Sequence, residues 1–269
     1  MVNPTQPCSF TGNADLYGIG IRIGLYLQWV TTLTTTLYEP KDEEILRVIN
    51  LLIQSAVFMG LILLTSRNQI EPVEPVISIW LIFGALSSLS GSGMNPLGHF
   101  SGLYRVALYT AVAGYACWFW FTGLDGTLQG QQCETVAFFG RVSIAGRFRT
   151  FNKIASAFGV CICAVFVVLT ARAFFRRYKG VPEASKPKRQ KVSVELFIVS
   201  TAIIIISVVA VEYLLQANGI TGINQTLSVG QLIPLLVGAF SFAEIVFSVV
   251  RKRLFRNARC WVLFGRHLS

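Results

Sequence analysis

Three ionisable side chains, Arg22, Glu212 and Glu244, lie inside stretches of sequence that are otherwise apolar. A charge in hydrocarbon is costly and usually turns toward a protein interior or a water-filled cavity, so each is a candidate site. Arg22 and Glu212 stand at comparable depths from the same side of their stretches, so they are expected to meet as an ion pair or to flank a ligand. Gln28, Tyr213 and Gln231 fall near that level, with Tyr17, Tyr26 and Gln216. These polar groups suffice for a hydrated pocket, with a small apolar ligand as its candidate occupant. A structural role is the alternative, because breaking a buried ion pair costs about 3–5 kcal/mol. Glu244, Arg105 and His99 make a second candidate cluster toward the opposite side. A carboxylic acid in an apolar cavity can protonate an alkene or epoxide, with aromatic rings stabilising the cation. Glu212 and Glu244 are the two acids read as deep enough for that chemistry.

No metal or cofactor site is expected. His99 and His267 are the two histidines, and Cys161 and Cys163 are two residues apart, which points them to different faces of a helix.

These residues need elements to hold them. The 269-residue chain is 53% apolar and 13% charged, with a mean hydropathy of +0.59. That composition argues against a disordered or ordinary soluble protein. Seven windows of a length suited to a membrane helix stand between polar or Pro/Gly breaks, at roughly 17–37, 46–65, 73–91, 103–122, 154–174, 194–216 and 231–250. The expected fold is all-α, a polytopic transmembrane bundle of seven helices. Residues 1–16 form an extracytoplasmic segment, 17–250 the membrane domain and 251–269 a basic cytoplasmic tail.

Orientation follows from Lys and Arg in the short connections. With the amino terminus outside and the carboxyl terminus inside, 17 of the 23 fall on the inner side and five on the outer, Arg22 lying within a span. The net charge of +10 is then mostly an inner-face property, suited to an anionic inner leaflet rather than to nucleic acid. The run KPKRQK at 186–191 is read as topology and lipid contact, with partner binding or trafficking as the alternative. Residues 1–15 lack the charged and apolar regions of a cleaved signal peptide. Plasma membrane and endomembrane fit equally.

On the outer side Cys8 and Cys133 are the two cysteines left where a disulfide forms, the alternative being two free or separately paired thiols. Asn224-Gln-Thr is an N-glycosylation sequon on that same side. The stretch FFGRVSIAGRFRTFNK at 138–153 interleaves aromatic residues with arginine, as an interfacial amphipathic segment or the lid of a cavity would. Trp118, Phe119, Trp120 and Phe121 suit an interfacial aromatic belt, or else a cavity wall. Gly20 and Gly24 give the small-residue spacing of a close helix contact. Arg47, Asn50 and Gln54 make a polar stripe, expected to snorkel to the inner interface.

The segments DLYGIGIRIGLYLQW (15–29), WFWFTGLD (118–125) with Cys133 and FFGRVSIAGRFRTFNK following, and LSVGQLIPLLVG (227–238) resemble an uncharacterised group of fungal multi-pass membrane proteins, in the same order. They cover under a third of the chain. The resemblance implies a fungal seven-helix membrane protein and transfers no catalytic residue. The expected function is a receptor-like, sensor-like or accessory membrane protein with an outer pocket. The alternative is a membrane-embedded enzyme of the terpene-cyclase type from fungal secondary metabolism, and a transporter is the third reading. The Asp-Arg-Tyr and Asn-Pro-x-x-Tyr motifs of receptors are absent, and the last span has no lysine to hold retinal.

Overall fold

The computed structural model describes residues 9–38, 43–86, 100–128, 135–138, 142–179, 194–224 and 228–265. It is predominantly helical. In chain order come α1 (Ala14–Tyr17), α2 (Ile19–Tyr38), α3 (Glu43–Ser66), α4 (Val73–Gly84) and α5 (Phe100–Trp118). A π-helical turn (Phe119–Gly123), α6 (Leu124–Leu128) and a two-stranded antiparallel sheet, β1 (Val136–Phe138) and β2 (Val142–Ser143), follow. The last three elements are α7 (Arg147–Tyr178), α8 (Val194–Ala217) and α9 (Val229–Gly265).

Four stretches are long and apolar enough to cross a membrane: Ile45–Ser66, Arg147–Arg176, Phe197–Ala217 and Val229–Lys252. Helix α4 is apolar but shorter. Helices α2 and α5 approach the length, yet α2 carries Arg22, Gln28 and a threonine run, and α5 carries Tyr, Ser and Gly. Little of α7 or α9 is buried. Both present large apolar side chains outward, among them Ile154, Phe158, Phe240 and Phe247. Apolar surface of that extent is foreign to a soluble monomer and suits contact with lipid.

Helix boundaries follow local chemistry. Asn13 caps α1, its side chain accepting from the Asp15 N–H at 3.0 Å. Pro72 precedes α4 and Pro75 lies in its first turn, where a missing N–H leaves no helical bond unmade. On α8 the buried positions Ser200, Ile204, Ser207, Val211 and Leu214 recur at three- and four-residue steps, which gives an Ile/Val-rich helix one inward face. That face meets α4.

Helix α2 is the centre of the packing, lying against α9 most extensively and also against α3, α8 and α4. The α2–α9 contact runs backbone to backbone. A Cβ on Gly24 would fall on the carbonyl of Pro234, and one on Gly238 on the carbonyl of Gly24. The Gly24 half of the expected small-residue contact thus has a definite partner helix.

Paired residues also give helix directions. Tyr17 meets Glu74 and Gly84 faces Trp29, so α2 and α4 run parallel. The Gly18–Gln231 and Gly24–Gly238 contacts make α9 parallel to α2 as well. The Thr32–Asn50 and Leu16–Gly60 contacts make α3 antiparallel to α2, and Arg22–Glu212 does the same for α8. Helix α5 runs with α3 through Gln54–Tyr109 and Thr65–Tyr115. It runs against α7 through Tyr109–Cys163 and Trp120–Phe148. Successive long helices therefore alternate in direction.

That alternation gathers residues 9–17, 67–72, 119–128, 135–138, 142–149 and 217–224 at the amino-terminal end of α2. Thr11 and Thr221 form a β-bridge there. Asn218, fully buried, accepts from the Val136 N–H at 2.9 Å and donates to the Val136 carbonyl at 2.8 Å. This clamp ties β1 to the end of α8.

Several expected boundaries change. The 138–153 stretch is not one amphipathic segment, because Phe138 ends β1, Val142 and Ser143 form β2, and α7 starts at Arg147. Burial of Val136, Ala137 and Ile144 beneath the cap draws the chain into a hairpin. The aromatic run divides, with Phe119 and Trp120 buried and Trp118 and Phe121 exposed. The third window is helical only to Gly84 within the described residues, followed by a 3₁₀ turn at 85–86, and the last helix continues past 250 to Gly265.

Gly24→Val is expected to separate α2 from α9 and lower the stability of the purified chain by about 2–3 kcal/mol in thermal unfolding. Gly114→Ala on α5, where an added Cβ meets nothing, should be neutral or stabilising by up to about 1 kcal/mol. Equal effects at both positions would refute the close contact.

Candidate functional site

Arg22 enters from the first turns of α2 and is buried, its side chain 5% exposed, whereas that of Glu212 is 47% exposed. One terminal nitrogen, Nη1, donates to both carboxylate oxygens of Glu212. The other, Nη2, donates to Asn224 Oδ1 at 2.5 Å, and Nε donates to the Tyr17 carbonyl at 3.1 Å. The Tyr26 hydroxyl donates to Glu212 Oε1 at 3.0 Å. Because α2 and α8 are antiparallel, Arg22 near the start of α2 sits close to the end of α8, and Glu212 close to the start of α2. Each charge thereby complements the dipole of the other's helix. Chemically the group is a clasp, since the guanidinium already has protein acceptors on all three nitrogens.

Asn224 belongs to the sequon and is exposed. A glycan would attach to its amide nitrogen, so the contact to Arg22 and the modification use different atoms. Gln231 is fully buried in the first turn of α9, its Oε1 accepting from the Gly20 N–H at 3.3 Å. Tyr213 is half-buried, one position after Glu212 on α8. Gln28 lies roughly 9 Å farther along α2 than Arg22, at 1.5 Å per residue, and is buried away from the clasp.

A second polar cluster, centred on Glu74, stands beside the clasp. Glu74 is 3% exposed at the start of α4. Its Oε1 accepts from the Tyr17 hydroxyl at 2.6 Å and the Asn13 N–H at 3.3 Å, and its Oε2 from the Glu71 N–H at 2.9 Å. Tyr17 thus joins the clusters, its carbonyl to Arg22 and its hydroxyl to Glu74. Above Glu74 opens a cleft of about 350 Å³, lined by Thr11, Gly12, Asn13, Asn68, Gln69, Ile70, Glu71 and Glu74. Asn68 holds a left-handed backbone, φ 53°, at the turn leaving α3. Sequence reasoning passed over Glu74, although the Glu71-Pro-Val-Glu-Pro run placed a carboxylate at a helix start, where it pairs with backbone N–H groups.

A third junction lies at the same end. Arg149 donates to both oxygens of Asp125, at 2.6 and 2.8 Å, and to the carbonyls of Trp120 and Phe121 at 3.1 Å each. It thereby satisfies the π-helical turn. Hydrogen bonding from Arg149 holds the exposed Asp125 carboxyl below the usual carboxylate range.

The remaining candidates lie on other elements or outside the described residues. Glu244 is exposed on α9. Helix α5, which bears Arg105, packs on α7 and α3 rather than on α9. His99, Cys8 and Cys133 lie outside the described residues. The Arg47, Asn50 and Gln54 stripe does not snorkel, since all three are buried. Asn50 meets Thr32 and Gln54 meets Tyr109 because this face of α3 is covered by α2 and α5. Among the described residues no group of three or more His, Cys, Asp or Glu is placed to hold a metal.

No protein-family model, curated protein or solved structure matches this chain.

Glu212→Leu should cost about 3 kcal/mol in thermal unfolding, because it strands the Arg22 guanidinium, whereas Tyr26→Phe should cost about 1 kcal/mol. Equal losses would mean that the ion pair adds nothing. Asp125 titrates lower in the folded chain than unfolded, so its contact with Arg149 stabilises above the ordinary carboxylate pKa of about 3.9. That contribution is lost as pH falls through the depressed folded value. Asp125→Asn should therefore differ from wild type at neutral pH and converge with it at acid pH, once the folded carboxyl has taken up its proton. Parallel stability curves across that range would remove the pair from the acid response.

Proposed function

We propose that this chain is a seven-helix integral membrane protein with its amino terminus outside and carboxyl terminus inside. Its activity is receptor-like or sensor-like recognition of a small molecule at the outer end. The observation that carries the reading is the cap on the α2 amino-terminal end. Several chain segments fold together there, hydrogen bonded by Asn218, Thr221 and Glu74, and two of them, Thr11–Asn13 and Asn68–Glu71 with Glu74, line a polar cleft of about 350 Å³. Ordered connecting segments presented by a rigid bundle are where binding residues concentrate. The alternation of helix directions and the basic residues of the opposite connections support the orientation.

The cyclase alternative needs an acid enclosed by apolar walls, whereas Glu212 is half exposed and salt bridged and Glu244 faces outward. We therefore prefer recognition to proton-initiated catalysis. The inner face, with its basic carboxyl-terminal segment, is the side for anionic lipids or partners.

Two measurements test this reading. An epitope inserted beside Asn68 should be reached by antibody in intact cells expressing the protein, and one at the carboxyl terminus only after permeabilisation. The reverse pattern would overturn the orientation. In a thermal-shift screen of small polar molecules, at least one should raise the melting temperature of the full chain, and Glu71→Gln or Asn68→Ala should remove that rise. A hit insensitive to both substitutions would move recognition away from the cleft, and turnover of a hit would replace recognition with catalysis.

A further inference from the structure

Gly20, Gly24, Gln28, Thr32 and Thr36 recur every four residues on α2, so they share one ridge that carries no large apolar side chain. Its upper part packs through Gly24 on α9. Lower down, Asn50 Nδ2 on α3 donates to Thr32 Oγ1 at 2.8 Å, and the Thr32 hydroxyl donates to the Gln28 carbonyl at 2.8 Å. The ridge and α3 are thus linked by a chain of hydrogen bonds that ends beside Gln28.

Gln28 itself is only 2% exposed. Neither its Nε2 nor its Oε1 has a hydrogen-bond partner among the described residues, and the buried Oδ1 of Asn50 also has none. Since α2 and α3 are antiparallel, the register that sets Asn50 against Thr32 brings Gln54 level with Gln28. Gln54 Oε1 already accepts from the Tyr109 hydroxyl at 2.9 Å. A carboxamide offers two N–H donors and two acceptor lone pairs. Midway along an apolar bundle it cannot turn to bulk solvent, and native interiors leave few such groups unsatisfied.

We propose that the Gln28 carboxamide and Asn50 Oδ1 form a binding site for one buried water molecule at the α2–α3 interface. Water is the ligand whose chemistry fits, because it joins two to four buried polar groups and can donate and accept at once. One hydrogen goes to Asn50 Oδ1, and the Gln28 carboxamide supplies the other partner whichever way its two ends are turned. The water joins Asn50 Oδ1 to one end of the Gln28 carboxamide and so links the line Gln28 carbonyl, Thr32 hydroxyl, Asn50 amide back to the Gln28 side chain. This link fixes how far apart α2 and α3 lie below the Gly24 contact. The inference is independent of what the outer cleft recognises.

The test uses the full chain in lipid nanodiscs, comparing thermal unfolding of wild type, Gln28→Leu, Asn50→Leu and the double variant. Gln28→Leu should lower the melting temperature by about 3 °C. The double variant should lose less than the sum of the two, because both residues hold the same water. A higher melting temperature for Gln28→Leu, as expected on deleting a carboxamide that nothing satisfies, would overturn the site, and so would additive losses. Should the variants fail to fold, a map of the wild-type protein at about 2 Å decides. A single compact peak within hydrogen-bond distance of both Gln28 and Asn50 Oδ1 supports the site. An elongated density, direct contact between the two side chains or no peak beside ordered side chains overturns it.

Discussion

A helix packed against several others has no solvent-facing stripe on which to place its polar residues, and α2 is in that position with Arg22, Gln28 and four threonines all buried. Each must find its partner inside the protein. Thr31, Thr32, Thr35 and Thr36 do so locally, donating to carbonyls four residues back. That local bond is available to threonine without any neighbouring helix, so a threonine run can be buried at any crossing angle. Arg22 has no such local solution for its whole guanidinium. It has to reach α8 and Asn224 in the 218–224 turn, and in doing so it fixes where they stand relative to α2.

Glycine and arginine divide the work on α2. Gly24 lets the α9 backbone approach closely on one side, a contact set by dispersion and shape that falls off steeply with distance. On another side Arg22 holds α8 by directed, charge-assisted bonds, which tolerate little reorientation. The Tyr17 hydroxyl then fastens α4 through Glu74. Three helices are thus located from residues 17–24, which explains why the ordered cap forms at this end.

The sequence made the helices and their inward side legible to different degrees. Long apolar windows such as those of α3, α7 and α8 have one physical meaning, so their existence could be read directly. The meeting of Arg22 with Glu212 could also be anticipated, because two opposite charges at equal depth have few other partners. The fate of the Arg47 stripe could not, since snorkelling and burial use the same spacing and differ only in whether another helix covers that face. Glu74 escaped notice for a related reason. It lies at a span edge, where a carboxylate is ordinarily solvated, and only the fold of residues 9–17 over it turns it into a buried acceptor.

Where these polar groups sit bears on how the molecule could respond to a ligand. Glu74 is the floor of the cleft, and its Oε1 accepts the same Tyr17 hydroxyl whose residue supplies a carbonyl to Arg22. A change at Glu74 therefore acts on Tyr17, then on the clasp, with no long-range element required. The exposed half of Glu212 gives that clasp a means of yielding, because a partly solvated carboxylate can trade a protein donor for water at small cost, while the buried Arg22 cannot lose its acceptors so cheaply. Within the clasp the Glu212 side is therefore the one that exchanges most readily with water. The packed Gly24–Gly238 contact, with no polar group to resolvate, has no such exchange open to it.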